Sequence, residues 1–188
     1  MKLIIASNNK HKIYEIKKII GGKFEEILSL SESGIVHETV EDGTTFAENA
    51  YKKAREIAEL SGCAALADDS GICVEALGGA PGVYSARFSG GTDEDNNRLL
   101  VSKLQGESNR RAYYACAVSL VYPDGKRVDA EGYMHGSIVD IPRGVRGFGY
   151  DPHFVPEGET RTVAELTDDE KNAISHRAKA LASLLTKL

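Results

Sequence analysis

No apolar run in the sequence approaches the ~20 residues that a membrane-spanning helix needs, so neither an anchor nor a membrane partner is expected. Positive charge is not in excess: 23 Lys and Arg stand against 28 Asp and Glu, for a net charge of −5. Proteins that bind nucleic acid polymers are usually basic, so no such polymer is expected as a partner. A phosphorylated small molecule stays open, provided that basic residues converge locally or a divalent metal helps. Cysteine is scarce: Cys63, Cys73 and Cys116 form an odd set with no CxxC pair. That argues against a disulfide framework and a structural zinc site, and for free thiols in a reducing compartment. The N-terminus opens on the short strand-like run Leu3-Ile4-Ile5, without the long apolar region and cleavage site of a signal peptide. The expected location is therefore cytoplasmic. Internal repeats, low-complexity segments and long linkers are also missing.

What remains is an ordinary globular composition, 41% hydrophobic and 27% charged, which excludes disorder. A chain of 188 residues fits one domain, or two small lobes sharing a sheet. Strand-like and helix-like segments alternate, which points to α/β. Residues 2–6 read as a buried strand, 11–20 as a helix and 24–30 as a second strand. Thr45 opens a helix to about residue 60, with Thr45-x-x-Glu48 as a capping box and Gly62 as its stop. Residues 63–67 read as a short buried strand ending in Asp68-Asp69-Ser70-Gly71, and residues 78–91 as loop. Residues 93–105 look helical. Strands 111–122 and 126–139 form an antiparallel hairpin around Pro123-Asp124-Gly125. Residues 142–152 read as an ordered loop. Thr167-x-x-Glu170 is a second capping box, and residues 174–188 read as helical. The sum is a mixed sheet with helices on its faces.

Five segments could carry chemistry. Ser7-Asn8-Asn9-Lys10-His11-Lys12 lies at a strand-to-helix junction. A helix N-terminus with lysines suits an anion; the plain alternative is a capping loop with solvated lysines. It lacks the glycines and the GK[ST] ending of a P-loop. The adjacent carboxylates Asp68 and Asp69 repel each other and need a cation or donors beside a core. Mg2+, a hard ion with oxygen ligands, meets that need; an Asx turn into Ser70-Gly71 is the alternative. On the helix from Thr45, Lys53 falls inside an apolar stripe about 80° wide formed by Phe46, Ala50, Ile57 and Leu60, with Asn49 on its edge. An ammonium there snorkels out or meets an anion. Glu38, Glu41 and Asp42 precede that helix and offer a further carboxylate. In Gly147-Phe148-Gly149-Tyr150-Asp151-Pro152 the glycines let backbone approach a ligand, and Phe148 or Tyr150 can stack on a planar base. Finally, if Ser175 breaks the last helix, His176 and Arg177 sit in the first turn of a new one and aim at a ligand together with Lys171.

These residues together resemble the inosine triphosphate pyrophosphatase family. Its members hydrolyse non-standard purine nucleoside triphosphates, and its bacterial enzymes are XTP/dITP diphosphatases. The matching motifs are Ser7-x-Asn9-x-x-Lys12, Thr45-Phe46-x-Glu48-Asn49-Ala50-x-x-Lys53-Ala54 and Ala67-Asp68-Asp69-Ser70-Gly71. Then come the run from Leu77 to Arg87, Gly147-Phe148-Gly149-Tyr150-Asp151-Pro152, and Ala164-Glu165-Leu166-Thr167 leading to Glu170-Lys171-Asn172-Ala173-Ile174-Ser175-His176-Arg177. They follow the family order over nearly the whole chain. The resemblance implies one domain over residues 1–188, with an elongated, two-lobed α/β fold and a nucleotide cleft. It implies a homodimer, one Mg2+ or more per subunit, and cleavage of a purine nucleoside triphosphate to the monophosphate and pyrophosphate. Carried over by position, Ser7, Asn8, Asn9, Lys10, His11, Lys12 and Lys53 hold the triphosphate. Asp69 is the proton acceptor and a metal ligand, Glu41 the second ligand, and Asp68 lies beside them. Ser70, Phe148, Gly149, Tyr150, Asp151, Lys171, His176 and Arg177 contact the nucleotide, with His176 and Arg177 donating to the 6-oxo group of the base. Three other readings share the phosphate chemistry: a pyrophosphatase for pyrimidine or modified nucleotides, a non-catalytic nucleotide sensor, and a phosphosugar- or polyphosphate-binding structural subunit.

Overall fold

A computed structural model describes all residues from Met1 to Leu188. Six strands form one sheet in the order β2-β1-β3-β4-β5-β6. They are β1 (Lys2–Ile5), β2 (Glu26–Ser29), β3 (Ala64–Val74), β4 (Arg111–Val121), β5 (Arg127–Ile138) and β6 (Phe154–Pro156). β1 pairs in parallel with β2 and with β3, and β5 pairs antiparallel with β6, so the sheet is mixed. The helices are α1 (Lys10–Ile20), α2 (Phe46–Ser61), α3 (Asp93–Lys103), α4 (Asp168–Ile174) and α5 (His176–Leu185). The chain divides into two compact units. The first comprises Met1–Asp69, Cys116–Gly132 and Arg177–Leu188; the second comprises Ser70–Ala115 and Tyr133–His176.

In the first unit, alternate residues of a strand face opposite sides of the sheet. Leu3, Ile5 and Leu66 pack with Ile16 and Ile20 of α1 and Leu181 and Leu184 of α5. Ile4, Ala65 and Ala67 pack with Ala54, Ile57 and Ala58 of α2 on the other side. Each large aliphatic side chain so buried contributes roughly 1.5–3 kcal/mol. α1 starts one residue earlier than its pattern predicts, because the Asn9 side chain accepts from the amides of His11 and Lys12. α2 has the expected capping box, Thr45 with Glu48, and stops at Gly62, whose φ of +64° suits glycine.

In the second unit, Ile72, Val74, Tyr114, Met134, Ile138 and Phe154 pack with Leu100 of α3 and with Leu104, which caps its C-terminal end. Residues 78–91 are not a plain loop: Gly82–Arg87 form a 3-10 turn, in which the Ser85 hydroxyl donates to the Gly82 carbonyl at 2.6 Å. β6 escaped the sequence reading because three residues are too few to show a period. The helix break falls where expected. Ser175 is extended, with ψ 151°, and α5 begins at His176.

The main correction concerns β3. It does not end before Asp68-Asp69-Ser70-Gly71 but runs through all four residues to Val74. The pair is therefore neither at a strand end nor in an Asx turn. Two adjacent carboxylates stay in a buried strand because cations from other elements meet them.

Candidate active site

Strand geometry sends Asp68 and Asp69 to opposite faces, and each finds different partners. Asp68 is buried, and its Oδ2 accepts from Lys12 Nζ, Arg177 Nε and Arg177 Nη2, each at 3.1 Å. The Arg177 guanidinium also donates through Nη1 to Glu15. Burial alone would raise the Asp68 carboxyl. The charges of Lys12, Arg177 and Lys53 outweigh it and hold the carboxyl well below the usual carboxylate range. The neighbouring Cys116 thiol is pushed up to about 12, first by burial and then by the Asp68 charge. It is inert as a nucleophile at neutral pH.

Asp69 accepts from Asn49 Nδ2 at 3.0 Å and has Lys53 Nζ at 3.8 Å from its Oδ1. Lys53 also meets Glu41 at 3.2 Å. The lysine in the α2 stripe thus meets anions, as its position required, and does not snorkel into water. Burial raises the Asp69 carboxyl. Lys53 and Lys12 pull it down, but with Glu41 pushing the same way as burial the net direction is up. Asn49 also ties down the chain that leads into α2, where its Oδ1 accepts from the Gly43 amide at 2.8 Å. A Cβ at Gly43 would lie 2.6 Å from that oxygen, so only glycine lets the chain after Glu41 come this close to α2.

The start of α1 is less enclosed. Asn8, Asn9, Lys10 and His11 are exposed, while Ser7 and Lys12 are half-buried. Ser7 Oγ accepts from the Asn9 amide at 3.2 Å, and Asn8 Nδ2 donates to the His37 carbonyl at 3.4 Å. The segment is a capping loop, yet Lys12 is not solvated, because Asp68 holds it.

The second unit gathers its own cluster around Asp151. This buried carboxylate accepts from the Phe148 amide at 3.1 Å, Lys171 Nζ at 3.0 Å and Tyr114 OH at 3.2 Å. Lys171 Nζ also lies 4.8 Å from the centre of the Phe148 ring, a cation–π distance. His176 stacks on Tyr114 with ring centres 4.7 Å apart and planes 10° from parallel. Ser70 is half-buried within β3. Of the two candidate stacking rings, Phe148 is the half-exposed one. Tyr150 is 4% exposed and donates to the Ser85 carbonyl at 2.7 Å, so it is a core residue. Arg177 is 1% exposed, and its guanidinium is engaged by Asp68 and Glu15. Sequence reading missed Glu15, Tyr114 and Cys116, and gave Asn49 no role. Glu15 did leave a trace, as a carboxylate one turn beyond Lys12 on a helix whose buried face is otherwise apolar.

The residues present fit Mg2+. No group of three or more His, Cys, Asp and Glu side chains converges as a cage. Mg2+ rarely uses one: it takes one or two carboxylates, waters and substrate phosphates. Glu41 and Asp69 offer hard oxygens around Lys53, and Asp68 Oδ1 is buried without a hydrogen-bond partner.

Fold and clusters together define a class: a mixed α/β protein in which lysines of α1 and α2 meet two adjacent buried carboxylates of β3. The chain belongs to the Ham1 family, whose sequence profile matches residues 3–187. It is 50% identical over 194 aligned residues to the dITP/XTP pyrophosphatase of Chromobacterium violaceum, covering 100% of this chain and 96% of the relative. The dITP/XTP pyrophosphatase of Geobacter sulfurreducens is 48% identical, with 97% and 94% covered. Among solved structures, a Staphylococcus aureus Ham1 protein superposes with a TM-score of 0.89 at 37% identity, covering 100% of this chain and 97% of that one. A nucleoside-triphosphatase, dITP/XTP pyrophosphatase, from Mycobacterium abscessus gives 0.79 at 46% identity, with 98% and 99% covered.

Proposed function

We propose that this chain hydrolyses ITP, dITP and XTP to the nucleoside monophosphate and pyrophosphate, and so keeps deaminated purines out of DNA and RNA. The observation that carries this reading is the Asp68-Asp69 pair on β3, each member met by a different lysine, in a chain whose relatives are named for the reaction. In the hydrolysis, water attacks the α-phosphorus, the bond from that phosphorus to the α,β-bridging oxygen breaks, and pyrophosphate leaves. Asp69 takes the proton from the water. Burial raises its carboxyl towards the range in which a base is both ionised and basic enough. Asn49 holds one carboxylate oxygen and so orients the group. Lys12 and Lys53 exchange their carboxylate partners for phosphate oxygens and neutralise charge that builds on the leaving pyrophosphate. Ser7 to His11 add the exposed N-terminal end of α1, which favours anions. When bound, Mg2+ on Glu41 and Asp69 supplies a Lewis acid for the phosphates and the attacking water.

Selectivity comes from the base. Phe148 stacks on it, and Lys171 and His176 donate to its 6-oxo group. Adenine presents an amino donor there and leaves those donors unsatisfied, a mismatch that sites built on hydrogen bonds reject strongly. Arg177 contributes by fixing Asp68. The same reading includes a cytoplasmic homodimer, checked by light scattering for twice the mass of one chain. The functional test is pyrophosphate release from ITP, XTP and ATP, with Mg2+ and with chelator. The expected kcat/KM for ITP and XTP exceeds that for ATP by roughly 100-fold or more, and chelator abolishes release. Equal efficiency on ATP and ITP contradicts the base reading, and no release from any substrate contradicts the reaction.

A further inference from the structure

Three side chains fix the backbone around Phe148. The Phe148 amide donates to Asp151 Oδ2 at 3.1 Å. The Gly149 amide donates to Asp93 Oδ2 at 2.9 Å, and the Gly149 carbonyl accepts from Asn97 Nδ2 at 2.9 Å. Asp93 and Asn97 stand four residues apart on α3, so they share one face of the helix. Together they grip both polar backbone atoms of one residue. The neighbouring glycines make the grip feasible. Gly149 has φ +61°, and a Cβ at Gly147 would lie 2.1 Å from Asp151 Oδ2. The Asn97 amide has one workable orientation. Turned round, its oxygen would face the Gly149 carbonyl; as it stands, Oδ1 is buried without a hydrogen-bond partner. The position therefore keeps a buried acceptor unsatisfied in order to make the Gly149 bond, which an apolar residue of similar size would not do. Leu100 and Leu104 root the helix in the core, so the grip stands on a rigid element.

We infer that Asp93 and Asn97 are positioning residues for base recognition: α3 holds the Gly149 peptide and thereby sets the Phe148 ring for stacking. The inference rests on the reading of Phe148 as the base-stacking ring. A ring held ready spares the cost of ordering the loop when substrate binds. Neither residue touches the reacting phosphates, so its loss falls on KM and not on kcat.

The test uses Asp93→Ala, Asp93→Asn and Asn97→Asp in the full chain. Asp93→Ala should raise KM for ITP about tenfold, the worth of one charge-assisted bond, and leave kcat within about twofold. Asp93→Asn keeps an acceptor oxygen and should restore KM to within about threefold. Asn97→Asp sets an acceptor against the Gly149 carbonyl and should repeat the Asp93→Ala result. The sequence has no tryptophan, so Phe148→Trp provides a single fluorescent reporter that needs no substrate. Added to Phe148→Trp, Asp93→Ala should increase acrylamide quenching about twofold, and Asp93→Asn should not. An unchanged KM, an unmoved quenching constant, or a fall in kcat at constant KM overturns the clamp. If the wild-type chain releases no pyrophosphate while quenching still rises, the pyrophosphatase reading fails and the hold of α3 on the Phe148 loop stands.

Discussion

Asp69 and Asp68 are neighbours with different work. Burial and Glu41 raise the Asp69 carboxyl against its lysines, and Asn49 fixes its direction. Asp69→Asn removes the proposed proton acceptor while keeping the shape, so kcat on ITP should fall by roughly 10²–10⁴-fold with KM within a few-fold. Near-normal turnover in steady-state kinetics would rule out the assignment. Asp68 belongs instead to a buried charge network, and Arg177 is its counterweight. Arg177→Leu leaves Asp68 and Glu15 without that cation. The expected loss is roughly 3–5 kcal/mol in urea unfolding, since an uncompensated buried charge is costly. A loss below ~1 kcal/mol would mean that the network does not hold the fold. Lys53 was legible in the sequence because an ammonium inside an apolar stripe demands a partner. The partner of Arg177 was not, because Asp68 lies 109 positions away. A guanidinium at the start of a helix reads equally well as a ligand donor.

At the scale of elements, α2 carries both Asn49 and Lys53, so its start fixes the register of the Asp69 environment. Thr45→Ala removes the cap that the Thr45 side chain offers to the Glu48 amide. It should cost about 1 kcal/mol in thermal or urea unfolding, with kcat on ITP little changed. A large drop in kcat without loss of stability would show that the cap tunes the site directly. The capping boxes of α2 and α4 were readable because each pairs Thr with Glu three residues on. β3 was not readable to its end. Asp-Asp-Ser-Gly has the composition of a turn, and the cations that keep it a strand come from α1, α2 and α5. The α3 clamp was hidden for a similar reason. Asp93 and Asn97 look like ordinary polar residues of the first two turns of a helix until the Gly149 peptide is seen against them.

For the whole molecule, alternating strand and helix patterns made the mixed α/β class legible, and six motifs in one order made the family legible. The boundaries of the two units were not, because β3, β4 and β5 each belong partly to both. Periodicity marks where a strand runs, not the contacts along it. Ser7 through Asp69 lie in the first unit, and Phe148, Lys171 and His176 lie in the second. The proposed reaction is attack of water on the α-phosphorus. Hydrolysis of ITP in 18O-labelled water, with mass spectrometry of both products, tests that claim most directly. The account predicts the label in IMP and none in pyrophosphate. Label in pyrophosphate, or release of single phosphates, would contradict it.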